Sequence, residues 1–425
     1  MSLRLLLCSF LFGLAGLCAA QEKGGPEPPA RGRYYTETLA SPGFFGRGYT
    51  FSGLHLSAAF IAREFESMGL ESPGGKRFQA FRHDVIRFPR PLELKAGNKS
   101  LTCGTDFIPD PGCETVKGKK KIYYADSSWA DAKTFSKKIK KIKAGSAIVF
   151  YPGEIKNPKT RASLEKNLGE SPKKYFLIRE VDKLTFGVAS EFNPNPGADV
   201  LRGSIPEGTK MLEVDFYSEK IKDFESQNVL GFVRGKSDTV IVISAHYDHL
   251  GTLGDKVIFT GANDNASGVA MVLSLANYFS RKENKPRYSL LFIAFAGEEA
   301  GLLGSLHFVN HPLVPLKKIR LVVNLDILGT GNEGITVVNA KLHPMEFGQL
   351  QKLNAQSSYV PEIKSRSNAP ISDHYPFSLK AVPALFIYTL GGIKAYHDIY
   401  DRRETLPLDA FENIYKLLIE FVNGI

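Results

Sequence analysis

Residues 240–251 read VIVISAHYDHLG. Val240 to Ala245 are apolar or small without interruption, and the run ends directly in His246, Tyr247 and Asp248. A strand with one wet face alternates apolar and polar residues. A continuous run is the mark of a strand covered on both sides, as in a parallel sheet flanked by helices. The texture recurs downstream: LLFIAFA at 290–296 runs into Glu298 and Glu299, IRLVVNL at 319–325 into Asp326, and PALFIYT at 383–389 into a loop that reaches His397.

Helical spacing fills the gaps between these runs. NASGVAMVLSLANYF (265–279), a segment near 345–357 and LDAFENIYKLLIEFV (408–422) read as helices, LHFVN (306–310) is a further apolar stretch, and ITVVN (335–339) is another strand. Upstream, LHLSAAFIAREFESMGL (54–70) carries apolar residues at helical spacing and ends near Gly69. Alternating strands and helices predict an α/β fold: a doubly wound, mixed and mostly parallel sheet with helices on both faces. Between about 93 and 225 the texture changes to short β-rich runs (KIYYA, SAIVFY, KYFLI, MLEVDFY) broken by Pro, Gly and Lys clusters, which predicts a smaller, mostly β inserted domain. The larger domain then comprises 34–92 and 226–425.

The first residues, MSLRLLLCSFLFGLAGLCAAQ, place an Arg before an apolar run that closes on small residues. That run is too short to span a bilayer and has the order of a signal peptide over 1–20, followed by a leader at 21–33. The expected destination is secreted or periplasmic, with no integral membrane segment in the mature chain; a lipid anchor through Cys18 is a lesser alternative. Export leaves Cys103 and Cys113 as an even pair, for which a disulfide is the favoured reading and two free buried thiols the alternative. The net charge of +10 is concentrated in Lys runs within 118–124 and 137–145, without the Gly and aromatic interleaving of an RNA-binding sheet, so it reads as a solvated basic face and no nucleic-acid partner is expected.

In open α/β sheets the working residues lie just beyond the carboxyl ends of the strands. Four strands here deliver imidazole or carboxylate to one edge, and a fifth candidate, Asp264, lies in the Gly- and Asn-rich turn FTGANDNASG. Zinc accepts both ligand types, and one carboxylate can bridge two ions. The expected arrangement has Asp264 bridging two Zn²⁺, with His246 and Asp326 on one ion and Glu299 and His397 on the other. Mn²⁺ or Co²⁺ would suit the same donors. Asp248 is placed to orient the His246 ring. Glu298, adjacent to a ligand but pointing differently, is the expected general base for a metal-bound water.

The segments SAHYDHLG, GANDNASG, AFAGEEAGLLGS, NLDILG, SDHYPF and AYHDIYD resemble, in order and spacing, the signatures of metallopeptidase family 28, the two-zinc aminopeptidases. The resemblance covers the 54–70 helix and residues 228–425. It implies release of N-terminal residues from peptides with a free N-terminus, and the ligand set His246, Asp264, Glu299, Asp326 and His397. It further implies an oxyanion-stabilising role for Tyr396 and a supporting role for Asp401 in YHxxxD. The inserted segment resembles a protease-associated domain through KIKAGSAIVFY and its position, serving either to shape access to the pocket or as a spacer. Asp373 and His374 in SDHYPF read as pocket wall or as supports behind the ligands.

Carboxypeptidases and deacylases on a related plan carry a lid between the fourth and fifth ligands, whereas only the 70 residues 327–396 intervene here. A single-zinc glutaminyl cyclase would not need every two-metal position, and a receptor-like binding protein would lack ligands or base. No G-x-S-x-G elbow marks a serine hydrolase.

Overall fold

The computed structural model describes residues 28–171 and 174–425. The expected signal peptide, Cys18 and the leader up to residue 27 lie outside the described residues. The chain enters through helices α1 (Pro28–Leu39) and α2 (Gly53–Ser67), then strand β1 (Phe78–Arg87). The leader expected as far as residue 33 is therefore helical from Pro28. Proline is tolerated in a first helical turn, where its missing N–H has no partner to lose. Tyr35 and Leu39 are buried, and Gly32 lies so close to the Phe411 ring that a Cβ would overlap it.

The next strands are β2 (Glu93–Ala96), β3 (Lys99–Leu101), β4 (Phe107–Pro109) and β5 (Val116–Ala125), followed by α3 (Ala132–Ile139), β6 (Ala147–Phe150), α4 (Pro158–Gly169), β7 (Phe176–Val181), β8 (Gly197–Leu201) and β9 (Met211–Phe216). They form one eight-stranded sheet in the order β3-β2-β9-β5-β6-β7-β8-β4, with β5 to β8 mutually parallel. The sheet dominates this smaller unit, and two helices that the sequence pattern did not reveal cover one side. In the Lys-rich run, Ile139 and Ile142 turn inward against Trp129, Ile148 and Leu164, while Lys137, Lys140, Lys141 and Lys143 stay at the surface. The expected disulfide is absent. Cys103 and Cys113 are free thiols on either side of the extended β4, both packed with the apolar core of this unit.

The larger sheet collects β1, β10 (Glu219–Val233), β11 (Ser237–His246), β14 (Tyr288–Phe295), β15 (Ile319–Leu325), β16 (Gly334–Val338), β17 (Ile363–Arg366) and β18 (Ala384–Leu390). The short hairpin β12 (Gly251–Leu253) and β13 (Val257–Phe259) stands apart. The order is β1-β10-β14-β11-β15-β18-β16-β17, and the four central strands β14, β11, β15 and β18 are parallel. The junction expected at 225/226 falls inside β10, which runs unbroken from one sheet's neighbourhood into the other.

Successive side chains of a strand point to opposite faces. Ile241, Ile243 and Ala245 accordingly join α1, α2, α5 (Gly268–Phe279) and α9 (Phe411–Gly424) in one core, whereas Val240 and Val242 meet α6 (Leu303–Asn310) and α8 (His374–Leu379) in another. α7 (Pro344–Ser357) packs beside α9. Burial on both faces explains the continuous apolar runs. Among the described residues no helix is long and apolar enough to cross a membrane.

Candidate metal centre

Parallel pairing aligns the carboxyl ends of the four central strands. His246 is opposite Phe295 in the β11–β14 register, Ser244 is opposite Asn324 in β15, and Leu325 is opposite Ile387 in β18. The residues that follow each strand therefore arrive at one edge, where they meet the turn carrying Asp264. Its peptide with Asn265 is cis.

All five expected ligands converge. His246 Nε2 lies 3.4 Å from Asp264 Oδ1 and 3.3 Å from Asp326 Oδ1. His397 Nε2 lies 3.1 Å from Asp264 Oδ2 and 3.2 Å from Glu299 Oε2. Asp264 thus turns one oxygen to each histidine. Donors held ~2.0–2.1 Å from a tetrahedral zinc stand roughly 3.3 Å from one another, so these separations fit two ions sharing Asp264. Donor atoms of His246, Glu298 and Glu299 also lie within 4.8 Å of one another. Among the described residues, neither Asp373 nor His374 belongs to such a group.

Hydrogen bonds at the far ring nitrogens leave both Nε2 atoms facing the cluster. His246 Nδ1 donates to the carbonyl of Asp248 at 3.1 Å, and His397 Nδ1 to the carbonyl of Phe186 at 3.1 Å. The role expected for the Asp248 carboxylate is corrected by this geometry. Its Oδ1 is 3.8 Å from His246 Nδ1, beyond hydrogen-bonding distance. The carboxylate instead accepts the Tyr49 hydroxyl at 3.0 Å and the backbone N–H groups of Glu298 and Glu299 at 3.2 Å each. It fixes the turn that presents the two glutamates. Asp401 does similar work for the Asp264 turn, accepting the backbone N–H groups of Asn263 and Asp264 at 2.8 and 2.9 Å.

Several contributors went unrecognised in the sequence. His249 donates from Nδ1 to Glu299 Oε1 at 2.8 Å. Ser372 donates to Asp326 Oδ2 at 2.7 Å and accepts from Asn324, which in turn accepts from Ser244. Arg47, fully buried, reaches backbone carbonyls on both sides of the Asp264 turn. His249 lies one step past the recognised His-Tyr-Asp triplet and could have been found by its residue type; the others carry no local signal.

Electrostatics follow from the crowding of acids. Burial alone would lower the histidines, but Asp326 and Glu298 raise His246 well above its ordinary value, and Glu299 and Asp264 push His397 up to about 11. Burial and Asp264 act to raise Glu299, yet His397 and His249 bring it down to about 2. Glu298 has fewer compensating donors, and burial holds it well above the usual carboxylate range despite nearby His246. Burial likewise raises Asp373 to about 7, with Ser305 donating to its Oδ1.

The cluster floors a cavity of about 320 Å³. Ile327, Ile371, Phe386 and Tyr388 give it apolar walls, with Arg366 and Tyr396 also lining it. Tyr396 stacks on the His397 ring with centroids 4.0 Å apart and is 47% exposed.

Residues 228–422 match the model of Peptidase family M28. This stretch is a family M28 peptidase. Aminopeptidase YwaD of Bacillus subtilis (strain 168) is 33% identical over 178 residues, covering 37% of this chain and 35% of that protein. The match thus spans about a third of that relative's length. At the level of fold, BSAP, a zinc aminopeptidase from Bacillus subtilis, superposes with a TM-score of 0.70 at 18% identity, covering 94% of this chain and 95% of that one. An aminopeptidase from Aneurinibacillus sp. strain AM-1 gives 0.64 at 18% identity over 93% of each chain. These two structures share the fold of this chain over nearly its whole length.

Proposed function

We propose that this M28 peptidase is an exported, zinc-dependent aminopeptidase that removes N-terminal residues from peptides, with residues 93–225 forming a protease-associated-like insertion. One observation carries the reading: the two oxygens of Asp264 face two separate histidine–carboxylate groups, as a bridge between two ions requires. His246 and Asp326 would hold one zinc, Glu299 and His397 the other. When bound, the ions would supply Lewis acidity to the scissile carbonyl and lower the pKa of the attacking water.

Glu298 takes the proton from that water and delivers it to the leaving amine. Its carboxyl starts above the usual range because it is buried, and neighbouring cations would draw it back towards the working pH, which suits a base that must also give its proton away. Tyr396 keeps its proton at neutral pH, because burial and the surrounding carboxylates raise it, and so has a hydroxyl to donate to a developing oxyanion. The cavity is at the small end of ligand sites, which suits one terminal residue rather than a chain passing through.

The test is hydrolysis of a panel of aminoacyl-nitroanilides by the unsubstituted chain and by Glu298→Ala, with zinc counted in both. Cleavage lost in the variant while about two zincs per chain remain is the expected result. No cleavage of any free-amine substrate would remove the aminopeptidase reading; a count of two would then redirect the search to carboxyl termini, and a count of one to cyclase chemistry.

A further inference from the structure

His397 sits in a segment with little support of its own. The described residues between Leu390 and Phe411 form no helix or strand. His397 has φ 53°, in the left-handed region that is unfavourable for a non-glycine residue and persists only where surrounding contacts over-determine it. Besides the Asp401 bonds to the Asp264 turn, the contacts nearest His397 come from the smaller unit. In the connection between β7 and β8, Phe186 N–H donates to the His397 carbonyl at 2.9 Å, and His397 Nδ1 donates back to the Phe186 carbonyl at 3.1 Å. Lys183 Nζ donates to the carbonyls of Lys394 and Tyr396 at 3.0 and 3.1 Å and meets Asp398 Oδ2 at 3.0 Å.

Asp398 is the organising group of this loop. It is 6% exposed and accepts the N–H groups of Tyr396 at 3.3 Å and Tyr400 at 2.9 Å, one on each side of His397. Lys183 therefore clamps the carboxylate that shapes both flanks of the ligand, together with two carbonyls before it. The clamp is itself anchored. Phe186 stacks on Phe259 with centroids 5.1 Å apart, and Ala189 accepts the N–H of Ile86 at 2.8 Å, which ties the segment to the larger unit.

We propose that residues 182–189 act as a strap through which the smaller unit holds His397 in its ligating orientation, with Lys183 as the positioning residue. By this strap the insertion completes the metal centre from behind. The Lys183 side chain is 48% exposed, so its charge pairing alone contributes little; its value lies in fixing three acceptors of one loop at once. Loss of an outer partner of a metal-binding histidine typically weakens metal binding ~10–100-fold.

The inference rests on His397 being a ligand, and the experiment separates the two claims. Zinc affinity is measured by chelator competition on the full chain, with melting temperature as control, for the unsubstituted protein, Lys183→Met, Lys183→Arg and His397→Ala. The expected result is ~10–100-fold weaker zinc binding in Lys183→Met with an unchanged melt of the zinc-free chain, most of it restored by Lys183→Arg. Zinc binding by Lys183→Met as tight as in the unsubstituted chain, alongside weakened binding in His397→Ala, overturns the strap and leaves the ligand assignment standing. An equal loss in Lys183→Arg overturns the clamp by the cationic head. Unweakened binding in His397→Ala overturns both claims.

Discussion

Arg47→Met exposes what holds the Asp264 turn. A guanidinium has five N–H donors, and Arg47 uses all of them on backbone carbonyls: Nε on Tyr247 at 2.8 Å, Nη1 on Leu39 at 3.1 Å and Thr260 at 2.6 Å, Nη2 on Gly261 at 2.7 Å and Asp264 at 3.2 Å. Charge-assisted bonds are worth ~1.5–3 kcal/mol each in isolation, but they are not additive, and burying the cation opposes them. That opposition is visible in the Arg47 pKa, which burial lowers to about 10 against the pull of Asp401 and Asp264. Methionine would fill much of the space and leave five carbonyls unanswered, for a net loss of ~3–5 kcal/mol. At ~2–4 °C per kcal/mol, the transition should fall by roughly 10 °C in thermal unfolding followed by circular dichroism. Because three of the five carbonyls belong to the Thr260–Asp264 turn, zinc affinity should fall as well. Arg47→Lys, with its three donors at one point, should recover only part of either loss. A melt within about 2 °C of the unsubstituted protein, with unchanged zinc affinity, would refute the idea that this clamp places the bridging carboxylate.

Burial pushes the Cys103 and Cys113 thiols up to about 12, leaving on the order of one thiolate in 10⁴ at pH 8. Both should resist a thiol reagent in the native chain and react after denaturation, and reductant should leave the melt unchanged; thiols absent after denaturation would mean that they are bonded. Asp248→Asn turns one of the two oxygens that receive Tyr49 and the two glutamate N–H groups into an NH2 donor, and should lower kcat/KM by ~10–100-fold in steady-state assays, with Tyr49→Phe milder. His246 and His397 are raised in the metal-free cluster, hence protonated at neutral pH, and must lose those protons to ligate. Zinc uptake should therefore release protons and strengthen as pH rises, which calorimetry in buffers of different ionisation enthalpy measures directly; no release at pH 7 would contradict it.

What was legible in the sequence is what the sheet dictates. A buried parallel strand must be apolar throughout, so the first polar residues after it stand out, and His246, Glu298, Glu299 and Asp326 could be read from that contrast alone. Asp248 shows the limit: residue and neighbourhood were right, but the His246 ring is met by its backbone carbonyl, and chain pattern does not say which atom of a residue faces which partner. The disulfide failed for a related reason: an even count of cysteines carries no distance, and Cys103 and Cys113 stand as free thiols. Arg47, Tyr49, Lys183 and Ser372 were invisible because each is a common residue acting on partners tens to hundreds of positions away.

The balance of charge explains why these supports exist at all, and it bears on how many ions the centre takes. Asp248, Asp264, Glu298, Glu299, Asp326, Asp373 and Asp401 crowd one edge of the sheet, and all five of the aspartates among them are at least nine-tenths buried. Arg47 is the fixed cation among them. Seven carboxylates against one guanidinium leave six negative charges, and the strain shows on both sides: burial raises Asp248 and Asp401 to about 6 and Asp373 to about 7, while the histidines rise because the acids need their protons. One divalent ion would leave four negative charges in a low-dielectric setting. Two would leave two, and a proton on Asp373, which burial raises to about 7 and which has no metal-binding role, would absorb one of them while leaving Glu298 free to act as base. That electrostatic account, independent of the donor spacing, favours two ions over one.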